Sequence, residues 1–129
     1  LSGRVKLIRR MVGEFETEAR YGLITSNSLL HHLPDPIVFW DSVKRLSSPG
    51  TFLFVMDLLR PENKEEAKRL TALYASSEPE ILQRDFYNSL LAAFEEGEVR
   101  AQLAASGLAH LNTERVSDRH LIVYGVPVG

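Results

Sequence analysis

Thr51–Leu59 reads TFLFVMDLL, and it limits the fold more than any other stretch of the chain. It is far short of the ~20 apolar residues that a membrane-spanning helix needs. It suits a strand at the centre of a sheet, where burial on both faces removes the usual apolar–polar alternation. Phe52, Phe54 and Met56 alternate with Leu53, Val55 and Asp57, so helices are expected on both faces. Asp57 is the only charged residue of the run and falls near its C-terminal end.

The flanking sequence supplies the helices. Asp35 can cap a helix whose first position is Pro36, and Ile37–Leu46 continues it. Ile37, Trp40 and Val43, with Phe39 and Leu46, form its expected buried stripe, and Trp40 reads as core. Ser47-Ser48-Pro49-Gly50 stops it. Pro61 ends the central strand, and Glu62–Ser76 reads as a charged helix. A second helix is expected from Pro79 to Phe94, with Leu82, Phe86, Leu90 and Phe94 along one stripe. A third runs over Glu96–Ser106 and stops at Gly107. Tyr21–Ser26 (YGLITS) reads as a short strand buried on both faces. Arg4–Val12 (RVKLIRRMV) reads as an edge strand, because its interleaved Arg4, Lys6, Arg9 and Arg10 discourage further pairing. His110–Val116 and His120–Val126 read as a closing antiparallel hairpin across Ser117-Asp118-Arg119. Strands alternating with helices imply an α/β fold with parallel strands.

The 129 residues suffice for one domain, and no repeat or linker divides them. Fifteen basic residues against seventeen acidic ones leave a charge near −2, without the basic footprint of a nucleic-acid-binding domain. There is no cysteine, which excludes disulfides, thiolate metal sites and cysteine nucleophiles. No apolar core follows the basic residues near the start. A cytoplasmic chain without signal peptide or membrane segment is therefore expected.

Four blocks resemble class I S-adenosylmethionine-dependent methyltransferases. Tyr21–Pro36, YGLITSNSLLHHLPDP, resembles that family's fourth strand and the turn after it. Val43–Val55 is similar to the helix, Pro-Gly turn and fifth strand that follow. Phe86–Leu108 resembles the region before the sixth strand, and Val116–Gly125 the closing hairpin. The resemblance implies an incomplete Rossmann-like sheet, strands 3 to 7 of seven, mostly parallel with an antiparallel C-terminal hairpin. The family order is 3-2-1-4-5-7-6, so Tyr21–Ser26 would lose its neighbour on one side.

The resemblance also shows what this sequence lacks. The family holds its cofactor on a glycine-rich turn after the first strand and an acidic residue after the second. The eight glycines here never fall in G-x-G-x-x-G order. Where the family often has Gly-Asp after its third strand, alignment of Val5–Ile8 puts Arg10 and Met11.

The resemblance implies that Ser26, Asn27 and Ser28 line the methionine end of the cofactor; read alone, they make a turn that satisfies its own backbone. His31, His32, Asp57 and Tyr87 are candidates to face substrate. Against that stand a structural turn for the histidines, a cap for Asp57, and a solvated helix face for Tyr87 and Asn88. His31, His32 and Asp35 do not have the spacing of a metal site, and none is expected. No catalytic residue is assigned, since methyl transfer can proceed mainly by positioning. The expected function is small-molecule methyl transfer from S-adenosylmethionine, with the isolated chain itself inactive. The alternatives are a non-catalytic dimerising or binding remnant and one half of a split enzyme. The expected partner is a second copy, joined through the N-terminal third, or a missing N-terminal half.

Overall fold

The computed structural model describes Ile8, Arg10 and residues 17–129. The expected strand Arg4–Val12 and any interface built on it lie outside the described residues.

Local chemistry sets most element boundaries. Asp35 accepts a hydrogen bond from the Ile37 amide at 3.0 Å and starts α1, Pro36–Leu46, with proline in its first turn. Asn63, through the Glu66 amide at 2.8 Å, caps α2, Lys64–Ala75, two residues later than the sequence suggests. α3 spans Glu80–Ala92 after Pro79. α4, Glu96–Ala105, opens with a capping box between Glu95 and Glu98. Gly107 then leaves the helix at φ +73°, a backbone region that favours glycine.

The four strands are β1, Tyr21–Asn27; β2, Ser47–Leu58; β3, Asn112–Arg115; and β4, His120–Gly125. They form one sheet in the order β1-β2-β4-β3. β1 and β2 are parallel, and the other two pairs are antiparallel. This is the 4-5-7-6 side of the order that the resemblance implies. β2 starts four residues earlier than Thr51, because Ser47 pairs with Tyr21 before the register jumps to Leu23 opposite Phe52. Thr51 bridges the irregularity, donating from Oγ1 to the Tyr21 carbonyl and accepting from the Ser48 amide.

The core lies on one face of this sheet. Leu53, Val55, Leu121 and Val123 pack there against Phe39, Trp40 and Val43 of α1 and Val99 and Leu103 of α4. The opposite face corrects two expectations. Among the described residues no helix covers Phe52, which is 42% exposed, and Phe54 and Met56 are only half-buried. β1 is likewise not buried on both faces: Leu23 is 61% exposed and Tyr21 is exposed. Its outer edge has no strand neighbour among the described residues. An apolar run reports that a strand is rich in hydrophobes, not that both of its faces are covered.

α2 and α3 pack on each other through Ala67, Leu70 and Leu90, with Leu58 and Tyr87 against this second cluster. The β3–β4 turn ties this hairpin to the sheet. Arg119 stacks on Tyr74 with its guanidinium carbon 3.6 Å from the ring centre. Tyr74 donates to Asp118 at 2.9 Å, and the Arg119 carbonyl accepts from Leu59 at 2.8 Å.

His120, at the start of β4, bonds Ser117 through Nδ1 at 2.9 Å. Burial first, and then the Arg119 charge, pushes its pKa below the ordinary 6.5. The unfolded chain therefore takes up the proton first as pH falls, so stability is lost on acidification from 6.5 down to the lowered native value. Glu66 and Asp118 also have lowered pKa values, through bonds from Arg69 and Tyr74; what they contribute is present above 4.5 and 3.8 and is lost only as pH falls below those values. Melting temperature should fall between about pH 7 and pH 5, and His120→Gln should flatten that fall. An unchanged slope in the variant would show that another group carries it.

Candidate active site

The C-terminal ends of β1 and β2 lie side by side, since Ser26 is opposite Val55 and Asn27 opposite Met56. Ligands of open α/β sheets bind outside such ends. The chain leaves β1 sharply there. Ser28 adopts φ +59°, uncommon for a residue other than glycine, and its amide donates to the Met56 carbonyl at 2.9 Å. Leu30–His32 then forms a single 3₁₀ turn that leads to Asp35 and α1.

This turn puts His31 over the end of β2. His31 Nδ1 lies 2.5 Å from Asp57 Oδ1, and the His31 amide donates to Oδ2 at 3.4 Å. The Leu58 amide donates to Oδ1 at 2.8 Å. One carboxylate thus receives three donors. Both side chains are buried, with 2% of His31 and 6% of Asp57 exposed. Nδ1 carries the shared proton, because a carboxylate only accepts. His31 Nε2 is fully buried and has no hydrogen-bond partner among the described residues.

The other candidates have different surroundings. His32 is exposed and stacks on His31 with ring centres 4.0 Å apart. Ser26 and Asn27 line a groove of about 270 Å³ between β1 and α1, beside Phe39, Val43 and Leu46. Ser26 Oγ is buried without a partner among the described residues, and Ser28 Oγ donates to Asn27 Oδ1. Tyr87 is half-buried against the α2–α3 cluster, whereas Asn88 is exposed. A larger cleft of about 460 Å³ lies between Arg60, Glu62, Glu95, Arg115 and Asp118 at the same end of the sheet. None of the residues singled out from the sequence lines it, and Arg60 is engaged by Glu95 and Glu98 at 3.2 and 3.0 Å.

Sequence reading named both His31 and Asp57 but did not join them; its carboxylate for the histidines was Asp35, which caps α1 instead. Asp57 was readable as their partner from one additional fact, the parallel register of β1 and β2. That register carries the turn after Asn27 onto the residue after Met56.

Solved structures share this fold. A SAM-dependent methyltransferase from Aquifex aeolicus superposes with TM-score 0.59 at 17% identity, over 92% of this chain and 53% of that one. DhpI, solved in complex with SAM and HEP, gives 0.63 at 20%, over 95% of this chain and 57% of that one. An O-methyltransferase family protein from Burkholderia thailandensis gives 0.60 at 12%, over 99% of this chain and 37% of that one. The chain spans about half the length of the first two. No curated protein sequence matches it. Among the described residues no helix is long and apolar enough to cross a membrane. The likeness of fold is joined by a match in sequence: residues 5–112 fit the methyltransferase domain family, and the chain belongs to that family.

Proposed function

We propose that this chain forms the acceptor side of an S-adenosylmethionine-dependent methyltransferase acting on a small molecule. The observation that carries the reading is the grouping of Ser26–Ser28 and the His31–Asp57 pair at the C-terminal ends of the parallel strands. Ser26 Oγ, buried and without a partner among the described residues, fits the polar methionine end of the cofactor. Nothing in the 129 residues fits its other end, which the family holds on a glycine-rich turn. When bound, the cofactor supplies an electrophilic methyl group on a sulfonium sulfur. Ser26–Ser28 would orient it, and the turn at His31 would face the acceptor.

Several cofactor hydrogen bonds are therefore unmade in the isolated chain, at about 1–3 kcal/mol each. Losses of that size move a micromolar ligand to millimolar affinity or weaker. Calorimetric titration of the chain with S-adenosylmethionine should give no heat of binding at micromolar concentrations. Joined to the glycine-rich half of a related methyltransferase, it should bind at micromolar concentrations. Micromolar binding by the chain alone would show that the cofactor site is complete. Failure of the joined protein as well would favour a non-catalytic binding remnant.

A further inference from the structure

The cleft of about 460 Å³ at the end of β2 is separate from Ser26–Ser28 and His31, none of which lines it. Its floor is fixed by the backbone. The Arg60 amide donates to the Phe94 carbonyl at 3.1 Å, and the Leu59 amide to the Arg119 carbonyl at 2.8 Å. Most of the charged groups on its walls are already satisfied. Arg60 is shared by Glu95 and Glu98, Arg69 holds Glu66, and Asp118 receives Tyr74 and Arg119. Glu96 accepts from Arg100 and Thr113, both at 3.2 Å. Two groups differ. Among the described residues, neither the Arg115 guanidinium nor the Glu62 carboxylate has a hydrogen bond or ion pair, and the two do not pair with each other. Both line the cleft, Arg115 from the last position of β3 and Glu62 from the residue before the cap of α2.

We infer that this cleft binds a small zwitterion of amino-acid or dipeptide size, with its carboxylate on Arg115 and its ammonium on Glu62. A guanidinium is the side chain that meets a carboxylate with two parallel hydrogen bonds. A carboxylate only accepts, so Glu62 takes the N–H donors of an ammonium. A simple cation is a poorer match. Every other carboxylate of the cleft has a donor of its own, and Arg115 would repel a second positive charge. A simple anion meets the same objection from Glu62. The volume agrees, since small-molecule sites span roughly 300–1,000 Å³. Leu59 and Pro61 supply apolar contact for the body of the ligand. Arg115 and Glu62 are both exposed, so water competes at each end and the affinity should be about millimolar. The inference does not depend on the methyltransferase reading.

The test needs no cofactor. The ¹⁵N-labelled chain is titrated with glycyl-leucine to tens of millimolar at low salt, where exposed charges are least screened. Saturable amide shifts should appear at Arg60, Glu62, Glu96 and Arg115 and spare Ser26–Ser28. The N-acetylated dipeptide lacks the ammonium, and the dipeptide amide lacks the carboxylate. Each should bind about fivefold more weakly than the free dipeptide. Arg115→Gln should bind the dipeptide and its amide equally, and Glu62→Gln should bind the dipeptide and its acetylated form equally. Both side chains are exposed, so neither variant endangers the fold. This crossed pattern assigns each end of the ligand to its residue, which non-specific attraction between charges would not do. No saturable shift in the cleft, blocked dipeptides that bind as well as the free one, or unchanged preferences in the two variants would overturn the inference. A null cofactor titration leaves this result standing, so the two readings fail separately.

Discussion

Trp40→Ala is expected to cost about 3–5 kcal/mol, enough to leave a domain of ordinary stability largely unfolded at room temperature. Trp40 has no exposed surface and meets Phe39 edge-on, with ring centres 4.9 Å apart. Its Nε1 donates to Gln102 Oε1 on α4 at 3.0 Å, so one side chain fills the core and bonds the two helices that cover it. Alanine would open a cavity and strand the Gln102 carbonyl. Trp40→Phe keeps most of the volume and loses the bond, at a cost nearer 1–2 kcal/mol. Phe54→Ala sets the scale on the other face of the sheet. Phe54 is half-buried, so its removal should cost only about 1–2 kcal/mol. Urea denaturation followed by circular dichroism would rank the three. If Phe54→Ala proves as damaging as Trp40→Ala, something outside the described residues covers that face.

The gap between Trp40 and Phe54 marks where sequence reading stops. Signals carried by neighbouring residues were readable. Asp35 before Pro36 starts α1, and Gly107 ends the run after α4, because caps and positive φ are properties of a few consecutive residues. The same holds for the β3–β4 hairpin across Ser117-Asp118-Arg119. Coverage of a strand is different. Leu53 and Phe54 are both large and apolar, and nothing in TFLFVMDLL says which of them meets a helix. That depends on where α1 and α4 dock, which is a tertiary fact. A local rule also failed at Glu62, where Asn63 makes the better cap and delays α2. Around the candidate site, the position of Ser26–Ser28 and His31 at the end of β1 was legible because a parallel strand stops beside them. The partnership of His31 with Asp57 was not, because 26 residues separate them and only the sheet register brings them together.

The second large effect is expected at that partnership. Asp57→Ala should cost about 3–5 kcal/mol, the usual result of removing one member of a buried polar pair. The size follows from the number of groups left behind. His31 Nδ1, the His31 amide and the Leu58 amide all lose their acceptor, and the site is too buried for bulk water to replace it. Asp57→Asn should cost less, about 1–3 kcal/mol. Its single carbonyl oxygen can still serve Nδ1 and Leu58, which share Oδ1, while its amide group would face the His31 N–H and repel it. Chemical denaturation with Trp40 fluorescence as the probe would measure both variants. Equal and small costs, below about 1 kcal/mol, would mean that the turn after β1 is held by the Ser28 bond to Met56 and not by Asp57. Asp57→Asn keeps a hydrogen-bond acceptor behind the imidazole and removes only the negative charge, so its difference from Asp57→Ala separates the charge of Asp57 from its hydrogen bonds.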